Sequence, residues 1–314
     1  MSERKHSKLY VFCYKVYRKL IEKVKILIPD KLYVQKVFEK KMGQKLDLKN
    51  PQTFNQKLQW LLLYNRRPEF TLMVDKYLVK PYVANIIGEE HIIPTLGVYD
   101  RFDDIDFDAL PEQFVLKCNH DSGGLAICRD KKTFDKNKAK TNITHSLKAD
   151  FYAYWREYHY KNVKRKIIAE QYMEDSLGTS LTDYKFYCFD GEPKFLYVSY
   201  GFENHEITTV SFVDLDWKPM PFGRNDYKPM KTLPPKPAHF DEMIEIAKKL
   251  SAGHSFLRVD LYEINNTVYF SELTIIPCAG HMPFDPPEYD KIIGDMLVLP
   301  EKYKKHRRTK RSAK

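Results

Sequence analysis

The chain has 314 residues, of which 43% are apolar and 14% aromatic, a composition that excludes a wholly disordered polymer and leaves room for two domains or one large core. No run of about 18 apolar residues occurs, which excludes a membrane-spanning helix at the level of sequence. The net charge of +10 sits at the two ends: residues 1–45 hold thirteen Lys or Arg against four Asp or Glu, residues 301–314 hold eight against one, and 46–300 is left at −6.

In chain order, Leu9, Phe12, Val16, Leu20, Val24 and Leu27 recur at helical spacing among Lys and Arg, predicting a helix over 8–28 that ends at Pro29. Such a helix either lies on an anionic membrane surface or packs on its own protein. The apolar stretch Leu9 to Tyr14 is too short for a secretory signal, so a cytoplasmic location is expected. A second helix spans 31–42 and stops at Gly43. The turn from Asn50 to Asn55 opens a third, Pro68 opens a short one leading to Asp75 and Lys76, and another runs to Ile87 with Gly88 as its stop. Residues 92–98 read as a strand.

After residue 110 the pattern changes from helical to strand-rich. Strands are predicted at 114–119 and 125–128, flanking the loop Asp121-Ser122-Gly123-Gly124, then a charged helical region over 133–156 and a strand at 167–172. The Asp190-Gly191 pair marks a hairpin between 184–189 and 194–200. A strand at 208–213, a Pro-rich loop over 219–237 and an amphipathic helix from Phe240 to Leu250 follow. The last hairpin runs from Arg258 to Thr274. Beyond it, Lys302 to Lys314 is either a solvated basic tail or a second contact with an anionic surface. With Tyr303 its only aromatic residue, 301–314 is not a specific nucleic-acid binder. The five cysteines form no C-x-x-C pair or metal-ligand spacing, which fits a reducing compartment.

The 258–274 hairpin carries the sharpest chemical signal. With a three-residue loop over Asn265 to Thr267, Asp260 pairs with Glu272 and Arg258 with Thr274, all on one face. Two facing carboxylates repel unless a hard cation stands between them, and Arg258 would then reach a transferring phosphoryl group. A two-residue Asn-Asn turn would place the carboxylates on opposite faces instead. The other reading is an ordinary hairpin with solvated acids. Lys117 and Lys185 both fall inside strands, where an ammonium needs an anionic partner or an edge from which to reach water. The glycine loop after Lys117 can turn its N–H groups toward phosphate, although no Walker motif is present. The strand ending at Glu170, Gln171, Tyr172 and Met173 can offer main-chain groups to a nucleobase.

The ordered set resembles the ATP-grasp superfamily, and within it the TupA-like family of surface-polysaccharide proteins. It is carried by Lys49 to Trp60, Asp75-Lys76, Phe114 to Lys117, His120 to Gly124, Ile168 to Met173, Asp183 to Phe186, Arg258 to Asp260 and Glu272 to Thr274. It extends from about 30 to 300. The resemblance implies an α+β ATP-grasp fold of antiparallel sheets with helices. A helical N-terminal region over 1–110 would precede a catalytic region over 111–300, with the nucleotide between subdomains of about 111–165 and 166–300; a basic tail over 301–314 would follow. It implies ATP and Mg²⁺ as cofactors. Lys117 and Lys185 would contact phosphates, Ser122, Gly123 and Gly124 would close over them, and Glu170 to Met173 would hold adenine. Asp260, Glu272 and Thr274 would hold the metal, Thr274 standing where many relatives have Asn, and Arg258 and Lys185 would act in catalysis. The implied reaction joins a small-molecule or glycan carboxylate to an amine.

Two other enzyme classes remain open from the residues. A glycosyltransferase could use Asp214 and Asp216, and a phosphotransferase could use the same nucleotide site. A fourth reading is an adaptor that binds polyanions through its basic ends.

Overall fold

The computed structural model describes residues 27–121, 123–174, 181–200 and 208–303. Nearly all of the helix expected at 8–28, Ser122, and the tail from 304 onward lie outside them. Among the described residues no helix is long and apolar enough to cross a membrane.

The N-terminal part is helical. The first described helix, Asp30–Met42, ends at Gly43, whose left-handed φ of 67° lets its N–H turn back to Glu39. The helix Phe54–Tyr64 opens with a capping box: Thr53 accepts from the Gln56 N–H, and the Gln56 side chain accepts from the Thr53 N–H. Its buried face carries Phe54, Leu58, Leu61 and Leu62. Phe54 meets Phe256 edge-on at 5.1 Å between ring centroids and lies beside Tyr187 and Phe189. The helix is thereby seated on the larger sheet and shares its hydrophobic core. Helices Phe70–Met73 and Val79–Ile87 complete this layer.

Two antiparallel sheets follow. The smaller is formed by β1 (Thr95–Tyr99), β4 (Ile167–Gln171), β2 (Phe114–Cys118) and β3 (Leu125–Cys128), in that spatial order. It has its own core around Phe102, Phe114, Leu116, Ile143 and Ile167. The helical region expected over 133–156 is two helices, Lys136–Leu147 and Phe151–Trp155. The break has a local cause: Asp135 caps the first and Asp150 caps the second, each side chain accepting a backbone N–H three residues on.

The larger sheet has the order β10 (Thr267–Thr274), β9 (Phe256–Ile264), β5 (Thr182–Phe189), β6 (Glu192–Tyr200) and β7 (Thr209–Asp214). The helix Phe240–Ser251 covers one face with Phe240, Met243, Ile246, Ala247 and Leu250. β8 (Gly223–Arg224), inside the stretch expected to be a Pro-rich loop, pairs over two residues with β11 (Phe284–Asp285); β11 and a last helix, Tyr289–Met296, lie where the sequence predicted no element.

The β9–β10 hairpin corrects one expectation and keeps its consequence. The loop has two residues, not three: Asn265 and Asn266 lie at φ 51° and 61°, and Ile264 pairs with Thr267. That turn alone would send Glu272 to the wrong face. An extra residue, Ser271, forms a β-bulge between Phe270 and Glu272, and the register beyond it restores Glu272 opposite Asp260 and Thr274 opposite Arg258.

Candidate active site

Three strands place their charged residues in one row. Lys185 on β5 pairs with Asp260 on β9, which pairs with Glu272 on β10. Asp183, two residues before Lys185, and Arg258, two before Asp260, point to the same face because side chains alternate along a strand. Arg258 grips Asp260 with two hydrogen bonds, Nε to Oδ1 at 2.7 Å and Nη2 to Oδ2 at 2.6 Å, and donates to Glu272 at 2.9 Å. Lys185 donates to Asp260 at 2.7 Å and to Asp183 at 3.0 Å. Lys76 approaches Glu272 from the helical layer at 3.7 Å.

These groups set one another's ionisation. Burial opposes the charge of Lys185, but Asp183 and Asp260 outweigh it and hold the ammonium well above the ordinary lysine value. Burial likewise opposes the Arg258 charge and is outweighed by Asp260 and its neighbours. Asp260 is wholly enclosed, and there burial wins over Arg258 and Lys185, so its carboxyl is raised. Glu272 opens toward solvent. Burial would raise it, but Lys76, Lys185 and Arg258 pull it down to about 2.

The row faces a cavity of about 460 Å³ between the two sheets, whose other wall carries Lys117, Gly124 and Glu170. Lys117 donates to Glu170 at 2.6 Å, and Lys80 reaches the other Glu170 oxygen at 2.7 Å. Lys80 is also held by Ile93 O and Thr95 Oγ1, so it is fixed in the wall, whereas Lys117 lines the cavity. Burial would raise Glu170; Lys117 and Lys80 hold it below the ordinary carboxylate range.

At the far end β4 stops at Gln171, and Tyr172 and Met173 leave the sheet beside Val115, Ile127 and Leu181. Arg129 donates to the Tyr172 hydroxyl at 3.0 Å and closes this end. Apolar walls next to main chain that has left its ladder can take a flat heteroaromatic ring.

Of the residues expected from sequence, Lys117, Gly124, Glu170, Gln171, Tyr172, Met173, Lys185, Arg258 and Glu272 line this cavity. Asp260 lies one layer beneath it, under Arg258 and Lys185. Thr274 stands aside and donates to Glu272 at 3.3 Å. Gly123 is on the loop without lining the cavity, and Ser122 lies outside the described residues. The glycine loop departs from expectation: the Gly124 N–H donates to the Asp121 carboxylate rather than pointing free. Lys76, Asp121, Asp183, Tyr197, Tyr262 and Ser271 also line the cavity and were given no role by the sequence. Asp183 carried a usable signal, the alternation that puts it on the Lys185 face. His120 is buried and does not line the cavity. Asp214 and Asp216 sit at a turn, where Asp214 Oδ1 accepts the N–H groups of Asp216 and Lys218, away from the cavity.

The facing carboxylates offer hard oxygen donors. Among the described residues no group of three or more His, Cys, Asp or Glu is arranged to hold a metal. One or two carboxylates with phosphate oxygens completing the shell is how Mg²⁺ is commonly held beside a nucleotide; Glu272, on the cavity wall, fits such a donor set, whereas Asp260, expected from sequence as a metal ligand, is enclosed with both oxygens taken by Arg258 and Lys185.

The TupA-like ATPgrasp family matches residues 56–298. The chain belongs to the TupA-like ATP-grasp family. No curated protein sequence matches it. Among solved structures, the D-alanine-D-alanine ligase of Helicobacter pylori is similar at 19% identity and a TM-score of 0.44, over 73% of this chain and 62% of that enzyme, less than two thirds of its length. A RimK domain ATP-grasp protein of Sphaerobacter thermophilus is similar at 14% identity and a TM-score of 0.38, over 72% and 68%. The ATP-grasp ligase PsnB, in complex with a minimal precursor, Mg and ADP, is similar at 10% identity and a TM-score of 0.39, over 77% and 64%.

Proposed function

We propose that this protein is an ATP- and Mg²⁺-dependent ligase that joins a carboxylate to an amine through an acyl phosphate, in the assembly or decoration of a bacterial surface polysaccharide. The observation that carries the chemistry is the Lys185–Asp260–Glu272 row clamped by Arg258, facing Lys117 across one cavity. The family supports the ATP-dependent ligase class, and the polysaccharide setting rests on the resemblance alone.

In this reading adenine occupies the Tyr172–Met173 end and the phosphates run between Lys117, Lys185 and Lys76. Mg²⁺, when bound, neutralises phosphate charge. A substrate carboxylate oxygen bonds to the γ-phosphorus as the bond to the β–γ bridging oxygen breaks, giving ADP and an acyl phosphate. Arg258 and Lys185 are fixed in place by Asp260 and need little reorganisation to meet charge moving onto the leaving and transferring oxygens. An amine then attacks the acyl carbon, phosphate leaves, and the amine loses a proton. Glu272, ionised at any working pH, remains an acceptor throughout.

Thermal unfolding with Mg-ATP, Mg-ADP and a panel of UDP-sugars tests this. A ligand at about a hundred times its dissociation constant adds roughly 2.7 kcal/mol. A rise with Mg-adenine nucleotides that EDTA removes, followed by carboxylate-dependent ADP release, is the expected result. A rise with a UDP-sugar and none with ATP would replace the ligase by a glycosyltransferase.

A further inference from the structure

The glycine loop carries an anion of its own. The Asp121 carboxylate accepts the Gly124 N–H through both oxygens, at 3.2 and 3.1 Å, and accepts the Ser146 hydroxyl as well. Asp121 is 5% exposed. Its main-chain oxygen takes the Lys76 ammonium at 2.5 Å, and the same ammonium lies 3.7 Å from Glu272. Gly124 is drawn in against its support: a Cβ on it would come within 2.6 Å of Cys118 Sγ and 2.8 Å of Ser146 Cβ. Ser146 sits on the helix Lys136–Leu147 and does not line the cavity, whereas Asp121 and Gly124 do.

We propose that Asp121 is a positioning residue that holds the glycine loop by the same amide a nucleotide phosphate would take, and that Ser146 sets how firmly it holds. The proposal rests on the nucleotide reading of the cavity. Carboxylate and phosphate are both anionic acceptors for backbone N–H groups. One amide cannot serve both fully, so nucleotide entry exchanges one anion for the other. The exchange is feasible because the internal anion is poorly placed: burial pushes the Asp121 carboxyl above its ordinary value, against Lys76 and the loop amides. The Ser146 hydroxyl supplies the remaining hold from outside the ligand's reach. Through Lys76 the loop is also tied to Glu272, so loop release and the freeing of the Lys76 ammonium for phosphate are one event.

An ordinary structural turn and a displaceable latch differ in sign. Removing a structural turn loosens the loop and weakens binding. Removing a latch raises the fraction of loop ready for phosphate and strengthens it. The test is equilibrium titration of the full chain with Mg-ADP, for wild type, Ser146→Ala, Ser146→Thr and Asp121→Asn. If the latched loop is populated about nine times in ten, Ser146→Ala and Asp121→Asn bind Mg-ADP about tenfold more tightly, while their ligand-free melting temperatures fall. Ser146→Thr keeps the hydroxyl and the wild-type affinity. Asp121→Asn also removes a negative charge from the cavity wall and tightens anion binding without a latch, so the latch stands or falls on the serine, with Ser146→Cys, close in shape and a weaker donor, serving where Ser146→Ala does not fold. Unchanged or weaker binding in the folded serine variant overturns the latch and leaves the nucleotide site standing. Wild-type protein that binds no Mg-ADP removes the nucleotide reading and the latch together.

Discussion

Arg258 and Asp260, two residues apart on one strand, form a bidentate pair at 2.7 and 2.6 Å in which Arg258 lines the cavity and Asp260 is buried beneath it. Glu272 receives only one Arg258 bond, at 2.9 Å, and opens on the cavity. The two carboxylates therefore answer to different tests. Asp260→Asn leaves Arg258 and Lys185 with too little negative charge in a closed site and is expected to cost about 3–5 kcal/mol of stability. Glu272→Gln keeps the fold, gives up the stability that its depressed carboxylate contributes at neutral pH, and loses ADP formation by at least about a hundredfold, the scale on which one preorganised electrostatic contact acts. ADP release measured on folded Glu272→Gln decides its role. Undiminished release there would contradict the layered arrangement.

Lys80 and Lys117 share Glu170 and are also expected to part company. Lys80 has three partners in the wall, Glu170, Ile93 O and Thr95 Oγ1. Lys80→Met strands part of the Glu170 charge and lowers the melting temperature, with nucleotide affinity little changed. Lys117→Met, on the cavity side, weakens Mg-ADP binding by roughly tenfold or more, at less cost to stability. Titration and thermal melting of the pair decide it; a weaker nucleotide affinity in the Lys80 variant alone would reverse the assignment.

How far the site could be read from sequence follows from the range of the interactions. Period-2 alternation alone put Lys185, Arg258 and Asp260 in strand interiors, because that signal is local. The opposition of Asp260 and Glu272 was legible, but the path to it was not. Two asparagines at positive φ made the turn shorter than expected, and Ser271 compensated as a bulge that no local pattern announces. Lys76 stood in a matched piece, Asp75-Lys76, without a role, since its approach to Glu272 depends on how the helical layer sits on the sheet. The glycine loop was recognised by composition, but its capture by Asp121 requires Ser146 from a separate helix. Asp150 hid the break in the 133–156 helix, as one acidic residue among many charges gives no sign that it will cap.

Gly124 is expected to tolerate no side chain. An alanine Cβ would meet Cys118 and Ser146 below 3.0 Å, with both neighbours held in the core of the smaller sheet and its helix. Overpacking of this kind costs about 1–3 kcal/mol. Gly124→Ala therefore lowers the melting temperature, and lowers it less when introduced into a Ser146→Gly background, where one of the two contacts is already gone, than into wild type. An equal loss in both backgrounds would mean that Gly124 does not rest on Ser146.

Three histidines, His120 and His254 buried and His281 partly buried, predict how stability changes with pH. His120, His254 and His281 are each lowered to about 4, burial being the largest cause in every case. In the unfolded chain a histidine titrates near 6.5. Between about pH 6.5 and 4 the unfolded state therefore binds protons that the folded state refuses, and stability falls as pH falls through that window. At pH 5 the effect is about 2 kcal/mol per histidine. Glu272 acts lower down. Its folded value of about 2 lies below the ordinary 4.5, so its contribution is intact above about pH 4.5 and is lost as pH drops toward 2. Denaturant titrations at pH 7.5, 5.5 and 4.5 should show a progressive loss before carboxylates protonate in number. His254→Phe, at a site where the ring packs on Phe70 at 5.8 Å, should flatten that slope by about one third. A wild-type profile that is level from pH 7.5 to 4.5 would mean these rings are protonated in the fold.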